Sequence, residues 1–223
     1  MKIFFVNPGE YGEGKAYGPL LSPHMGVAYM ASYLKHHNHD VEVIEMPVYK
    51  ISYEDIVKRV KEFSTDVLAI TARSFNILSA DKLATLAKKE IPNIKIVLGG
   101  AHATALPRRT LQEFSSFDCL VVGYGEIPML EFVQRLEKNP NATISQLCKN
   151  NLSFVFRDGS KIVENQIAPA ISDLDGLPNP DYSMYDMSAF GRLYHPPTNK
   201  FHQEISMFAS RGCPYLCTFC MAH

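Results

Sequence analysis

The stretch VLAITARSFNILSADKLATLAKKEIPNIKIVLGG, residues 67–100, decides the fold. It opens with an apolar run at residues 67–71 and continues with a helical pattern over residues 78–89. A second apolar run at residues 95–98 then ends on Gly99 and Gly100. A strand, a helix and a second strand in this order form the unit that joins parallel neighbours in a sheet. This stretch therefore predicts an α/β fold.

The same unit recurs on both sides of this stretch. Further apolar strands are expected at residues 2–7, 41–45 and 119–122, and further helices near residues 27–34, 53–63 and 127–136. Strands that alternate with helices predict a doubly wound, Rossmann-like parallel sheet of five strands with helices on both faces. Ligands of such folds bind beyond the carboxyl ends of the strands.

Composition and charge exclude several classes of protein. The chain has 223 residues, of which 46% are apolar, and a formal net charge of -1. Such a balance gives no broad electrostatic footprint for nucleic acid or an acidic membrane. No apolar run approaches the roughly 20 residues of a transmembrane helix, and the amino terminus lacks a signal-peptide pattern. We therefore expect a cytoplasmic protein with no nucleic-acid partner and no transmembrane segment.

The character of the sequence changes after Asn139. Two short alternating runs, residues 153–157 and 161–164, flank Asp158-Gly159, and Asp-Gly between such runs indicates a β-hairpin. Residues 169–197 are rich in Pro, Asp and Tyr and predict an irregular connector, after which residues 204–210 predict a new apolar strand. The expected organisation is a first domain at residues 1–140, a connector with a hairpin at 141–203, and the start of a second domain at 204–223.

Three cysteines crowd into the segment RGCPYLCTFC. Cys213, Cys217 and Cys220 have the spacing C-x3-C-x2-C, which lets three thiolates of one loop face a single iron–sulfur cluster. Three ligands leave one iron open to a small molecule. The alternatives are three incidental buried thiols or a zinc site, for which His223 could be a fourth ligand. Cys119 is expected in the core, and Cys148 has no visible partner.

This loop resembles that of the radical S-adenosylmethionine (SAM) superfamily, because a strand and Arg-Gly precede it and Phe219 stands before the last cysteine. The resemblance implies a [4Fe-4S] cluster on Cys213, Cys217 and Cys220. The amino and carboxylate groups of SAM would chelate its open iron, with Phe219 near the adenine. Residues 204–210 would then be the first strand of a truncated radical SAM partial barrel.

Residues 1 to about 140 resemble the cobalamin-binding domain that precedes this barrel in one class of these enzymes. The resemblance rests on Asn7-Pro8 after the first strand and on the segments GVAYMASYLKHHNHDVEVIE, VLGGAHATALP and VVGYGE. The later segment ISDLDGLPNPDY resembles the connector of the same proteins. The cobalamin contacts so implied are Asn7, Pro8, Thr71, Arg73, Gly99, Gly100, His102, Ala103, Thr104, Gly123, Gly125 and Glu126.

Two points about these contacts are left open by the sequence. Gly99-Gly100 and Gly123/Gly125 allow backbone to approach a large flat ligand, but ordinary strand-to-helix turns need glycine as well. Arg73 could lie under the corrin or be a solvent-facing loop residue.

The sequence lacks the pattern D-x-H-x-x-G that provides a histidine ligand to cobalt. The nearest candidate, Ser22-Pro23-His24-Met25-Gly26, lacks the Asp that would orient the ring. We therefore expect cobalamin to bind with no histidine on cobalt.

The resemblance also implies a reaction. Reductive cleavage of SAM would give a 5′-deoxyadenosyl radical that removes hydrogen from an unactivated carbon. Methylcobalamin could then give its methyl group to the substrate radical, with a second SAM remethylating the corrinoid; other members close rings or oxidise. Electrons would come from an external donor of the flavodoxin or ferredoxin type, and the substrate, a small or lipid-like molecule, is unidentified. Because most of the barrel is missing, this fragment alone is expected to be inactive. The alternative is a stand-alone corrinoid carrier or sensor with vestigial or zinc-binding cysteines.

Overall fold

One mixed sheet of seven strands organises the chain. The structure, a computed structural model, describes residues 1–9, 22–215, 217, 218 and 220. The strands are β1 (Lys2–Asn7), β2 (Asp40–Glu45), β3 (Val67–Thr71), β4 (Lys95–Gly99), β5 (Cys119–Val121), β6 (Phe154–Asp158) and β7 (Lys161–Glu164). Their order in the sheet is β2-β1-β3-β4-β5-β6-β7.

Helices cover both faces of this sheet. They are α1 (Met25–His36), α2 (Met46–Tyr49), α3 (Tyr53–Glu62), α4 (Ile77–Glu90), α5 (Ala101–Ala105), α6 (Pro107–Glu113), α7 (Glu126–Lys138) and α8 (Ile144–Cys148). Buried residues of α1, α7 and α8 pack on one face, and those of α3, α4 and α6 pack on the other. The sheet is therefore enclosed between two apolar layers, as expected when parallel strands are apolar along their whole length.

The first five strands are parallel, and the predicted doubly wound arrangement of strands and helices is confirmed. β1 pairs with β2 on one side and with β3 on the other, and β4 and β5 follow outward. The direction of winding therefore reverses between β1 and β3. A crevice at such a switch point, beyond the carboxyl ends of the strands, is where doubly wound folds bind their ligands.

The predicted extent of the sheet was wrong, because the sheet has seven strands and the prediction counted five. The hairpin β6–β7 is no separate flap: β6 pairs antiparallel with β5 and continues the sheet. Phe154 and Phe156 of β6 are buried in one apolar layer and Val155, between them, is buried in the other, so both faces of this strand are covered. The hairpin thus covers the backbone of β5, which would otherwise be an open edge.

The strand predicted at residues 204–210 is absent, although these residues lie in the described part of the chain. A small antiparallel pair precedes them instead, β8 (Arg192–His195) with β9 (Lys200–Gln203). The apolar pattern of residues 204–210 was wrongly interpreted as a strand. However, a strand also needs a partner for its backbone groups, and no described strand lies alongside.

Among the described residues, no helix is both long enough and apolar enough to cross a bilayer.

The hairpin offers a test of the corrected sheet. Phe154 is fully buried, and its ring stacks on Phe132 of α7 with centroids 5.1 Å apart. We expect Phe154→Ala to lower the free energy of unfolding by about 3–5 kcal/mol, the cost of a large cavity in a core. Leu152→Ala, at a half-exposed position just before the same strand, should cost less than about 1 kcal/mol. Urea unfolding of both variants measures the difference, and equal small losses would show that the hairpin is a flap.

Candidate functional site

The glycine turns after β4 and β5 meet at the carboxyl edge of the sheet. In the register, Thr71 at the end of β3 lies beside Gly99 at the end of β4. The backbone N–H of Gly123, after β5, donates to Oγ1 of Thr104 in α5 at 3.1 Å. Asn7 at the end of β1 lies on the same edge, because β1 is parallel to β3.

Gly99 and Gly100 have different structural reasons for being glycine. Gly100 has φ +94°, and a Cβ there would lie 2.6 Å from Oγ1 of Thr71 and 2.7 Å from the carbonyl oxygen of Ala72. The chain itself therefore requires glycine at position 100. A Cβ at Gly99 would meet nothing within 4 Å. Gly99 thus borders open space, and no contact within the protein accounts for it.

Three predicted contact residues follow in α5. His102 is buried, its Nδ1 lies 3.0 Å from Oγ of Ser74 in the neighbouring loop, and burial lowers its pKa. Thr104 is partly exposed and accepts the hydrogen bond from Gly123. Ala103 is completely buried in the apolar core and presents no surface to a ligand, because its methyl group packs under the helix.

At the end of β1 and β2, a buried carboxylate binds Asn7 at the end of β1 and His24 just before α1. Glu45 is fully buried; its Oε2 accepts from Nδ2 of Asn7 at 2.6 Å and its Oε1 from the backbone N–H of His24 at 2.8 Å. Burial raises the pKa of Glu45 despite these hydrogen bonds. The amide nitrogen of Asn7 is therefore engaged by the protein itself.

His24 caps the first helix. Its Nδ1 accepts from the backbone N–H of Val27 at 3.4 Å, which satisfies one free donor of α1. Burial, with the positive charge of Arg73 nearby, lowers the pKa of His24 to about 4. The ring is therefore neutral at pH 7.

The loop after β3 is fixed by Asn76. Its Nδ2 donates to the carbonyl oxygen of Pro8 at 2.9 Å, and its Oδ1 accepts from the backbone N–H of Arg73 at 2.7 Å. Asn76 was not singled out from the sequence; an Asn three residues after Arg73 in a turn is the signal that could have indicated it. The side chain of Arg73 is exposed at this edge, near the ring of Phe75.

The turn after β5 carries Gly123, Gly125 and Glu126. Gly123 is exposed with φ +74°, whereas a Cβ at Gly125 would overlap Cε of Met30 in α1. Packing of α1 against the turn thus accounts for Gly125. Glu126 begins α7, and its Oε1 lies 2.6 Å from Nη2 of Arg211. Its carboxylate is therefore bound within the chain.

The three loop cysteines are free and exposed. Within the described ranges, no three side chains of His, Cys, Asp or Glu are grouped closely enough to hold a metal ion. The loop therefore offers three thiols as donors without gathering them. Phe219 and His223, which the sequence suggested near SAM and zinc, lie outside the described residues.

The two other cysteines contact each other. Cys119 of β5 and Cys148 of α8 are fully buried in the same apolar layer. Burial, together with this neighbour, raises the pKa of Cys119 well above its usual value. The expectation that Cys119 is a core residue is confirmed, and Cys148, for which the sequence showed no partner, is a free cysteine buried in the same layer.

Large apolar side chains are exposed at this edge of the sheet. Beside the open space at Gly99 and the exposed Gly123, it carries three apolar side chains that are about half exposed: Phe75, Leu78 and Ile127. Phe75 lies in the loop after β3, Leu78 in the first turn of α4 and Ile127 in the first turn of α7. Large apolar side chains left exposed around glycine turns suit a broad ligand that is itself partly apolar.

Comparisons with known proteins agree with this geometry. The family model described as "B12 binding domain" matches residues 18–133, just over half of the chain. An uncharacterized methyltransferase of Pyrococcus horikoshii is 30% identical over 99% of this chain and 45% of its own length. An anaerobic magnesium-protoporphyrin IX monomethyl ester cyclase of Cereibacter sphaeroides is 32% identical over 99% of this chain and 34% of its own length.

A further relative and a solved structure extend the likeness. The cobalamin-dependent radical SAM methyltransferase TokK of Streptomyces tokunonensis is 28% identical over 70% of this chain and 22% of its own length. The structure of the cobalamin-dependent SAM radical enzyme OxsB, with aqua-cobalamin and SAM bound, aligns with a TM-score of 0.65 and 18% identity. The alignment covers 80% of this chain and 24% of OxsB, and it shows a shared fold.

The chain spans less than half the length of each of these relatives. Its B12-binding match, its switch-point edge and these relatives together lead to one conclusion: the chain belongs to the B12 binding domain family, as that domain occurs in cobalamin-binding radical SAM enzymes.

Proposed function

We propose that this chain is the cobalamin-binding part of a cobalamin-dependent radical SAM enzyme, and that its cysteine loop holds a [4Fe-4S] cluster for SAM. The observation that carries the proposal is the open carboxyl edge of the sheet, to which the segment before the cysteines is attached through Arg211 and Glu126. One edge then serves both cofactors.

Cobalamin would rest on residues of the switch-point edge. Gly99 and Gly123 leave room for close approach, and Phe75, Leu78 and Ile127 would cover apolar parts of the corrin. Polar groups at this edge would be provided by the exposed Ser74 and Arg73 and by His102, which is hydrogen-bonded to Ser74. Six other predicted contact residues would contribute indirectly, by shaping the loops beneath these groups: Asn7, Pro8, Thr71, Gly100, Thr104 and Gly125.

Cys213, Cys217 and Cys220 would hold the cluster, since three exposed thiols within eight residues are a suitable donor set. When bound, the cluster, SAM and cobalamin would supply radical and methyl-transfer chemistry, and the protein would orient them and exclude water. Relatives described as methyltransferases favour methylation of the substrate, and those described as cyclases support ring closure as the second candidate.

The surroundings of the reaction are part of the same proposal. Free, exposed thiols suit the reducing cytoplasm, and an external donor of the flavodoxin or ferredoxin type would supply electrons. The substrate, small or lipid-like, would be bound mainly outside this chain. The division into residues 1–140, 141–203 and 204–223 remains a prediction, with the hairpin of the middle segment completing the first sheet.

Cobalamin binding can be tested at Gly99. A valine there meets no protein atom within 4 Å of its Cβ and needs no positive φ, so Gly99→Val should fold normally while projecting into the ligand's space. We expect its affinity for hydroxocobalamin to fall at least about tenfold, a loss of roughly 1.4 kcal/mol, in equilibrium dialysis. Asn93→Val, exposed before the opposite end of β4, is the control and should bind like the original chain. Equal binding by both variants would place cobalamin elsewhere.

The axial ligand gives a second test. Because Nδ1 of His24 accepts from α1 and the D-x-H-x-x-G pattern is absent, we expect no imidazole of this chain on cobalt. Electron paramagnetic resonance of bound cob(II)alamin should be the same before and after His24→Ala, as it should be for the exposed control His36→Ala. Nitrogen splitting that disappears only in His24→Ala would contradict the expectation.

The cysteine loop gives a third test. Anaerobic reconstitution with ferrous iron and sulfide should load up to about four iron and four sulfide per chain, because thiolates hold the irons. The triple change of Cys213, Cys217 and Cys220 to Ala should load none, whereas Cys148→Ala, which removes a buried thiol, should load normally. Iron and sulfide are measured chemically. Stoichiometric zinc binding by the three cysteines without any sulfide uptake would favour the corrinoid carrier or sensor instead.

A further inference from the structure

The segment at residues 206–212, just before the cysteines, lies against the sheet domain although most of it is exposed. The hydroxyl of Tyr182 donates to the carbonyl oxygen of Ser206, and Oγ of Ser206 lies 2.8 Å from Oγ of Ser22. Phe208 donates its backbone N–H to Oη of Tyr29 at 3.2 Å, and the two rings stack with centroids 5.5 Å apart. We call residues 206–212 the tether.

Arg211 is the buried end of this tether. Its side chain is 8% exposed and that of its partner Glu126 is 6% exposed, with Nη2 and Oε1 2.6 Å apart. Its guanidinium carbon lies 5.1 Å from the ring centroid of Tyr29, 5.3 Å from Tyr124 and 6.0 Å from Phe208. Arginine retains its charge in such surroundings, and a planar guanidinium stacks on aromatic rings while it binds a carboxylate.

The Arg211–Glu126 pair joins two parts of the chain that are far apart in sequence. Glu126 follows the glycine turn 123–125 and opens the rigid helix α7, and a carboxylate in the first turn is also favoured by the helix dipole. Cys213 is two residues after Arg211, so its Cα lies within about 7 Å of the Cα of Arg211. One ion pair thus connects the start of the cysteine loop to the turn after β5.

We propose that Arg211 and Glu126 are positioning residues that set where the cysteine loop stands relative to the carboxyl edge of the sheet. The pair would set the position of the cysteine loop in this chain even without cofactors. That it thereby fixes the distance between cluster and corrin rests on the proposed function. A buried pair of this kind acts as a unit, because removal of either partner leaves the other charged and unpaired in a desolvated site.

The alternative is that the tether is held by its other contacts, and that the ion pair adds nothing to its position. Stacking of Phe208 on Tyr29 and the Tyr182–Ser206 hydrogen bond would then suffice. The two possibilities differ in what happens to Cys213 when only the pair is broken.

Distances between two spin labels distinguish them. One nitroxide is attached to Cys213 in a background of Cys217→Ser and Cys220→Ser, where the remaining cysteines, Cys119 and Cys148, are fully buried. The second is attached through Lys138→Cys, exposed at the far end of α7, about 18 Å along the helix from Glu126. Double electron–electron resonance then reports the position of Cys213 against the helix that carries Glu126, with no cofactor present.

We expect one narrow distance distribution in this labelled chain. Arg211→Ala and Glu126→Gln should each broaden it, and the double variant should be no broader than either single one. Arg211→Lys should restore part of the narrow component, since it keeps the charge and loses the planar stacking. Arg109→Ala, which breaks the exposed Arg109–Glu113 pair of α6, is the matched control and should leave the distribution narrow.

A distribution that stays narrow in both single variants would overturn the proposal, and so would broadening in the double variant that adds the two single effects. Circular dichroism of each variant identifies global unfolding; if Glu126→Gln unfolds, Arg211→Ala and Arg211→Lys decide alone, because Arg211 lies outside the sheet and helices. The spin-label distances are measured without cofactor, so they are independent of cobalamin binding by Gly99→Val. A negative result in either experiment would therefore leave the conclusion from the other unchanged.

Discussion

The parallel pairing of β1 with both β2 and β3 is the constraint on which the rest of the structure depends. It places β1 between β2 and β3 and reverses the winding there, so that α1, which follows β1, and α4, which follows β3, lie on opposite faces of the sheet. In doubly wound folds, ligands bind beyond the strand ends at such a reversal. Glu45, Asn76 and Gly100 each support this arrangement through contacts at the carboxyl ends of the strands: Glu45 with His24, Asn76 with Pro8, and Gly100 with Thr71 and Ala72. The candidate site is therefore a consequence of topology first and of particular side chains second.

Local sequence was sufficient for the parallel strands and the four longest helices, because apolar runs and helical spacing are properties of neighbouring residues. Local sequence was insufficient where the structure depends on which distant strand a segment pairs with. Nothing in residues 153–164 says which edge their hairpin will join, and nothing in residues 204–210 says that no described strand lies beside them. The short helices α2, α5, α6 and α8 were also missed, since one or two turns carry too little periodicity to be recognised.

The candidate site was predictable to a similar degree. The glycine turns and the cysteine loop are visible in the sequence as short motifs. The difference between Gly99, which borders open space, and Gly100, which packs tightly against Thr71 and Ala72, is visible only in the structure. The partner of Arg211 was missed, because Glu126 lies 85 residues earlier and no spacing rule connects the two. The three aromatic rings around Arg211 come from α1, the turn after β5 and the tether itself.

The shortness of β5 has a consequence for motion. Its three residues make only two register pairs with β4, yet the hairpin lies beyond it and the turn leading to Glu126 follows it directly. Local opening in proteins starts where few backbone pairs must break, and it spreads through the elements that hang from that point. Opening of β5 would thus affect both its neighbours: the outer hairpin and, through the turn before Glu126, the tethered cysteine loop. These two parts would loosen together while the central strands remain paired.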